Sequence, residues 1–99
     1  MELERPQVVL RLAGELDVGC TDDAYKRLLS LPLTRGDQLV LDLRDVTFLD
    51  STGVRLILRA RDHATRHGAG FVLVRGPEPV MRVLVVTGLE SQFDIVAPR

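Results

Sequence analysis

Residues 39–53 read Leu39-Val40-Leu41-Asp42-Leu43-Arg44-Asp45-Val46-Thr47-Phe48-Leu49-Asp50-Ser51-Thr52-Gly53. Residues 39–43 are apolar except for Asp42. A run this short and this hydrophobic predicts a strand covered on both faces, the habit of a parallel sheet. Phe48 and Leu49 then bring the chain back to the core before Asp50-Ser51-Thr52-Gly53. From there to His67 the pattern is helical. Gly53, Ile57, Ala60 and Ala64 fall on one side, with Val54, Leu58 and Arg61 adjoining, and Gly68 and Gly70 end it. A buried strand feeding an amphipathic helix is half of a β-α-β unit, so this stretch points to an α/β fold.

The flanking segments extend the pattern. In residues 7–13, Val8, Leu10 and Leu12 alternate with Val9, Arg11 and Ala13, which is strand periodicity. Gly14 opens a predicted loop, Gly14-Glu15-Leu16-Asp17, leading through Gly19 to a helix with Thr21 as N-cap and Asp22 and Asp23 in its first turn. Ala24, Leu28 and Leu31 mark that helix's apolar face, and Pro32 closes it. Downstream, residues 71–74 form a second continuous apolar strand. Pro79 fits the first turn of a third helix, along which Val80, Val83, Leu84 and Thr87 keep i, i+3, i+4, i+7 spacing. Gly88-Leu89 reads as its C-terminal cap, and residues 93–97 as a last strand.

Strands alternating with helices imply right-handed crossovers and one open α/β sheet, spanning residues 1–99 as one domain. The expectation is four or five mostly parallel strands, mixed in direction if residues 1–4 add a short edge strand, with three or four helices packed against them. Whether helices cover one face or both stays open at this point.

The 99 residues are 45 % hydrophobic and 27 % charged, a globular balance rather than a disordered one. Thirteen basic against 14 acidic residues leave a net charge of -1, which argues against non-specific nucleic-acid binding through a basic surface. Cys20 is the single cysteine, so neither an internal disulfide nor a multi-cysteine metal site can form. His63 and His67 have the i, i+4 spacing of a two-histidine metal face. No further ligand stands nearby in an Arg-rich segment, so both are expected to be solvent-facing helix residues. The first twelve residues lack an apolar run of signal-peptide length, and no segment approaches the ~20 apolar residues of a spanning helix. The expected location is the cytoplasm.

Asp50-Ser51-Thr52-Gly53 places a carboxylate and two hydroxyls where a strand-side loop meets a helix N-terminus. Such a corner is hospitable to a phosphate, through unpaired N–H groups and the positive end of the helix. Gly53 leaves the backbone open to close approach by another group. Local physics alone favours a simpler role, with Asp50 or Ser51 as N-cap and Thr52 filling the first turn.

Asp50-Ser51-Thr52-Gly53, after an apolar strand, resembles the phosphorylation-loop signature of STAS-domain anti-sigma factor antagonists. Gly14-Glu15-Leu16-Asp17 matches the Gly-Glu-Leu-Asp stretch of that family. Residues 79–84, ending in Thr87-Gly88-Leu89, are similar to its final helix and cap. Together these span about residues 8–96. The resemblance implies a STAS fold, Ser51 as phosphoacceptor and Thr52 as a secondary or silent site. It places Asp17 near the phosphoacceptor, on the surface that a partner kinase contacts; a plain loop-capping role for Asp17 stays open. Asp17, Asp50, Ser51, Thr52 and Gly53 are thus the expected partner-binding residues. Arg55 departs from the pattern, standing where many relatives have a second glycine, and Val18-Gly19-Cys20 is not the commonest loop.

The partners implied are an anti-sigma factor with Ser/Thr kinase activity and a Ser/Thr phosphatase, without direct contact to nucleic acid or membrane. The free chain is expected to be a monomer with no cofactor of its own, a substrate rather than an enzyme. No Walker loop or glycine fingerprint for nucleotide is present. A nucleophilic enzyme built on Ser51 lacks Gly-x-Ser-x-Gly, and His63 and His67 lie too far along the same helix to serve as base. A receiver domain with Asp42 or Asp50 as phosphoacceptor would need a late lysine, and the only lysine is Lys26. The remaining alternative is a STAS scaffold or an accessory subunit of a stress-sensing complex or lipid transporter.

Overall fold

The computed structural model describes residues 5–19 and 21–98. Its elements run β1 (Gln7–Leu16), α1 (Thr21–Leu29), β2 (Gln38–Leu49), α2 (Ser51–Arg66), β3 (Gly70–Val74), α3 (Glu78–Val86), a 3-10 turn (Glu90–Gln92) and β4 (Asp94–Val96). The strands form one sheet in the order β1-β2-β3-β4, every neighbouring pair parallel. The edge strand expected at residues 1–4 lies outside the described residues.

Because the strand order never reverses, right-handed crossovers carry all three helices to the same face of the sheet. Leu10 and Leu12 of β1, Leu39, Leu41 and Leu43 of β2 and Leu73 of β3 point to that face. They join Leu28, Ile57, Ala60, Ala64, Val80 and Leu84 from the helices in one core. The intervening residues Val9, Val40, Asp42, Val72, Val74 and Val96 line an open groove on the other face. Residues 39–43 are therefore covered by helices on one side only. Val40 and Asp42 are buried nonetheless, because central strands are shielded by their neighbours.

Two strands differ from the sequence-based expectation. β1 does not stop at Gly14 but runs on to Leu16, and β2 continues through the polar residues 44–47 to Leu49. The register shifts after Arg11 and again after Gly14, each time with one more residue on β2 than on β1. These bulges break the alternation that a sequence reading follows. Gly14 accommodates the distortion at φ +76°, a conformation that L side chains seldom adopt. Phe48 is 49 % exposed rather than in the core, since only Leu49 turns inward there.

The helices follow their apolar periodicity closely. In α2, Gly53, Ile57, Ala60 and Ala64 are all buried, and Gly68 ends the element at φ +70°. Thr21 is a buried first residue of α1 rather than its cap. In α3, Met81 joins Val80 and Leu84 in the core. Thr87 instead turns outward as C-cap, its hydroxyl donating to the Val83 carbonyl at 2.8 Å. Gly88 and Leu89 close the helix as the sequence predicts, with Leu89 N–H donating to Leu84 O (2.9 Å) and Gly88 N–H to Val85 O (3.0 Å).

Asp42 is the one carboxylate on the floor of the open groove, 2 % exposed. Arg44, two residues on and so on the same face, donates to it from Nη2 (2.8 Å) and Nε (3.1 Å), and from its backbone N–H (3.0 Å). Burial pushes the Asp42 carboxyl up, but these hydrogen bonds and the guanidinium charge outweigh it and hold the group below its ordinary value. The native state thus keeps Asp42 ionised at pH values where the unfolded chain already protonates it. That contribution is present above the unfolded pKa and is lost as pH falls through the carboxylate range. Asp42→Asn is expected to lower stability at neutral pH by about 1–3 kcal/mol and to flatten the acid side of the stability curve. Urea unfolding across the acid range reads both effects.

Candidate functional site

The carboxyl ends of β1 and β2 build the site. Leu16 pairs with Leu49 at the last register position, so the next residues, Asp17 and Asp50, leave adjacent parallel strands side by side. Asp50 N–H donates to the Leu16 carbonyl at 3.4 Å, which ties the two exits together. Asp50 itself is extended (φ -116°, ψ -168°), and its Oδ1 accepts from Thr52 N–H (2.8 Å) and Gly53 N–H (3.2 Å). Asp50 is thus the N-cap of α2, and Ser51 is the first helical residue, exposed to solvent. Thr52 is half-buried. Those two amides, expected from sequence to be open to a phosphate, are already occupied by the cap.

Gly53 is buried, and its close approach is to its own chain. A Cβ placed there would stand 2.5 Å from the Leu16 carbonyl oxygen and would strike the Leu49 side chain. The missing side chain lets the end of β1 lie directly on the first turn of α2. Asp17, half-buried, uses Oδ1 to accept from Gly19 N–H at 3.1 Å, so it does hold its own loop. That loop presents Val18, 81 % exposed.

Sequence reasoning overlooked the hollow beside Ser51. Val18, Thr21, Asp22 and Tyr25 line it from the α1 side, and Thr52, Arg55, Leu56 and Arg59 from α2. The signals were present as an apolar residue in a glycine-flanked loop and arginines at helical spacing, but single residues of either kind are ordinary on surfaces. Arg59 lies 5.2 Å over the Tyr25 ring, joining the two helices.

His63 and His67 sit at the far end of α2, not at this corner. Their ring centroids are 4.4 Å apart, and the His67 Nδ1–H donates to the His63 carbonyl at 2.9 Å. His63 is not solvent-facing as expected: its Nε2 is buried without a partner. Burial, then the nearby His67 and Arg66, lower its pKa from the ordinary histidine value. Among the described residues, no group of three or more His, Cys, Asp or Glu side chains is placed to hold a metal ion.

The STAS domain family model matches residues 2–98. The chain belongs to the STAS domain family. It is 30 % identical over 92 residues to a STAS-domain containing protein of Pseudomonas aeruginosa, covering 90 % of this chain and 87 % of that one. Over 90 residues it is 29 % identical to the anti-sigma-B factor antagonist of Bacillus subtilis, covering 91 % and 82 % respectively. The crystal structure of an anti-sigma factor antagonist from Mycobacterium paratuberculosis is similar at a TM-score of 0.74 and 25 % identity, covering 99 % of this chain and 82 % of that chain. Among the described residues no helix is long and apolar enough to cross a membrane.

Within this STAS domain, the geometry separates capping from packing. Asp50→Ala removes two hydrogen bonds to the helix start and is expected to cost about 1 kcal/mol. Gly53→Ala forces β1 away from α2 and is expected to cost about 1–3 kcal/mol. Thermal and urea midpoints of the two variants check the order.

Proposed function

We propose that this STAS domain is an anti-sigma factor antagonist whose unmodified form captures a kinase-type anti-sigma factor and so releases a sigma factor. Phosphorylation of Ser51 ends that capture. The observation that carries the reading is the exposed Ser51 hydroxyl at the first position of α2, beside Asp17 and Asp50, in a chain whose relatives include an anti-sigma-B factor antagonist. Exposed Val18 and Phe48 at the ends of the same two strands add apolar area for a partner to cover.

The physics of the switch follows from that corner. In the proposed reaction the γ-phosphoryl group of ATP passes to Ser51 Oγ; ADP leaves and the hydroxyl proton is lost. The product carries about -1.5 to -2 charge at neutral pH, in a corner that already holds two aspartates. A partner packed over unmodified Ser51 would have to desolvate that dianion. A penalty of about 4 kcal/mol weakens binding roughly a thousandfold, within the reach of one badly paired buried charge. A Ser/Thr phosphatase resets the state. In this scheme the chain is a substrate and a binding partner, and the kinase supplies ATP and magnesium.

Ser51→Ala is expected to keep the fold and bind the anti-sigma factor constitutively, whereas Ser51→Asp binds it weakly. Titration calorimetry with the purified anti-sigma factor separates them. Equal affinity of both variants would overturn the switch and favour a constitutive STAS scaffold or accessory subunit.

A further inference from the structure

A phosphate on Ser51 would find most of the N–H groups at the start of α2 already engaged. Thr52 and Gly53 N–H already donate to Asp50 Oδ1, and Val54 N–H donates to the Asp50 carbonyl at 2.9 Å. The neighbouring side chains on the strand exits, Asp17 and Asp50, are acidic. Arg55 lies one helical turn beyond Ser51, and both residues are exposed. Residues four apart on a helix have Cβ atoms only about 5–6 Å apart on one face.

Of the four arginines of α2, Arg59 and Arg61 have partners, whereas Arg55 at the site and Arg66 at the far end have none among the described residues. Arg59 lies over Tyr25, while Arg61 lies over Phe93 at 5.4 Å and reaches Gln92 Oε1 at 3.4 Å. Arg55 makes no ion pair, hydrogen bond or ring contact among the described residues. Asp22 lines the same hollow without forming an ion pair to it.

We propose that Arg55 is the internal clamp of the phosphorylated state, its guanidinium fork taking the phosphoryl oxygens of phosphoserine 51. The inference rests on the reading of Ser51 as phosphoacceptor. A planar fork suits phosphate geometry better than an ammonium does. The clamp gives the modification two effects at once. It holds the dianion at the corner where the partner would pack, and it withdraws the unpaired cation beside that corner from the partner's reach. A glycine at residue 55 would supply neither.

The test installs phosphoserine at position 51 during translation, so no kinase is needed, and follows the second phosphate ionisation by phosphorus NMR. The groups around the phosphate are Asp17, Asp50 and Asp22, which raise its pKa, and Arg55 and Arg59, which lower it. With Arg55 present, the midpoint is expected to lie roughly 0.3–0.7 pH unit below that of the Arg55→Gln variant, the shift of a partly exposed charge pair. Molar salt should shrink the difference. Arg59→Gln, two turns from Ser51, should shift the midpoint less than Arg55→Gln does. Coincident midpoints for the parent and Arg55→Gln, with both folded by thermal melt, would overturn the clamp. Whether phosphoserine 51 weakens anti-sigma factor binding is read separately by calorimetry, so the switch and the clamp fail independently.

Discussion

The contact on which the rest of the molecule depends is the seating of the β1 terminus on the first turn of α2. Leu16 pairs with Leu49, its carbonyl accepts from Asp50 N–H, and only the absent side chain of Gly53 leaves room for both. That packing fixes where Asp17 and Asp50 emerge and how the first turn of α2 is presented. Ser51 is exposed because Gly53, two residues on, is buried. A surface residue thus acquires its position from an interior one, and a substitution at Gly53 acts on the site without touching a partner.

The sheet imposes a second constraint. Its unreversed strand order puts α1, α2 and α3 on one face and leaves the other face to Val9, Val40, Val72, Val74 and Val96. An all-parallel sheet usually has both faces covered. Here the Asp42–Arg44 pair lies on the open side, where Arg44 remains partly exposed to water. The pair satisfies a carboxylate on the floor of a groove lined by valines, with Gln7 and Gln38 beside them. The connection between Leu16 and Thr21, at the carboxyl end of β1, carries Asp17 and Val18.

Much of this was legible in the sequence, and the omissions have physical causes. Gly53, Ile57, Ala60 and Ala64 declared the buried stripe of α2 because helical periodicity survives whatever lies outside it. Residues 39–43 announced a strand, yet a central strand is buried on both faces whether or not helices cover both, so the run could not tell one layer from two. The two bulges hid the second half of β2, since each extra residue swaps inside for outside, so that Val46 rather than Asp45 follows Leu43 into the core. At the site, the capping role of Asp50 was one of two readings, and its geometry selects it over Ser51. A close approach by another group at Gly53 was foreseen, and the group that makes it is Leu16, a residue far away in sequence. Arg55 was visible only as a departure from a family pattern, and its lack of a partner among the described residues is a property of the fold.

The central claim is that Ser51 is the regulated position. Peptide mass spectrometry on the protein isolated from its native cells, sampled across growth and stress, tests it most directly. The account predicts one phosphate, localised to Ser51, whose occupancy changes with condition. Failure to find Ser51 modified under any condition, or phosphate confined to another residue, would contradict it.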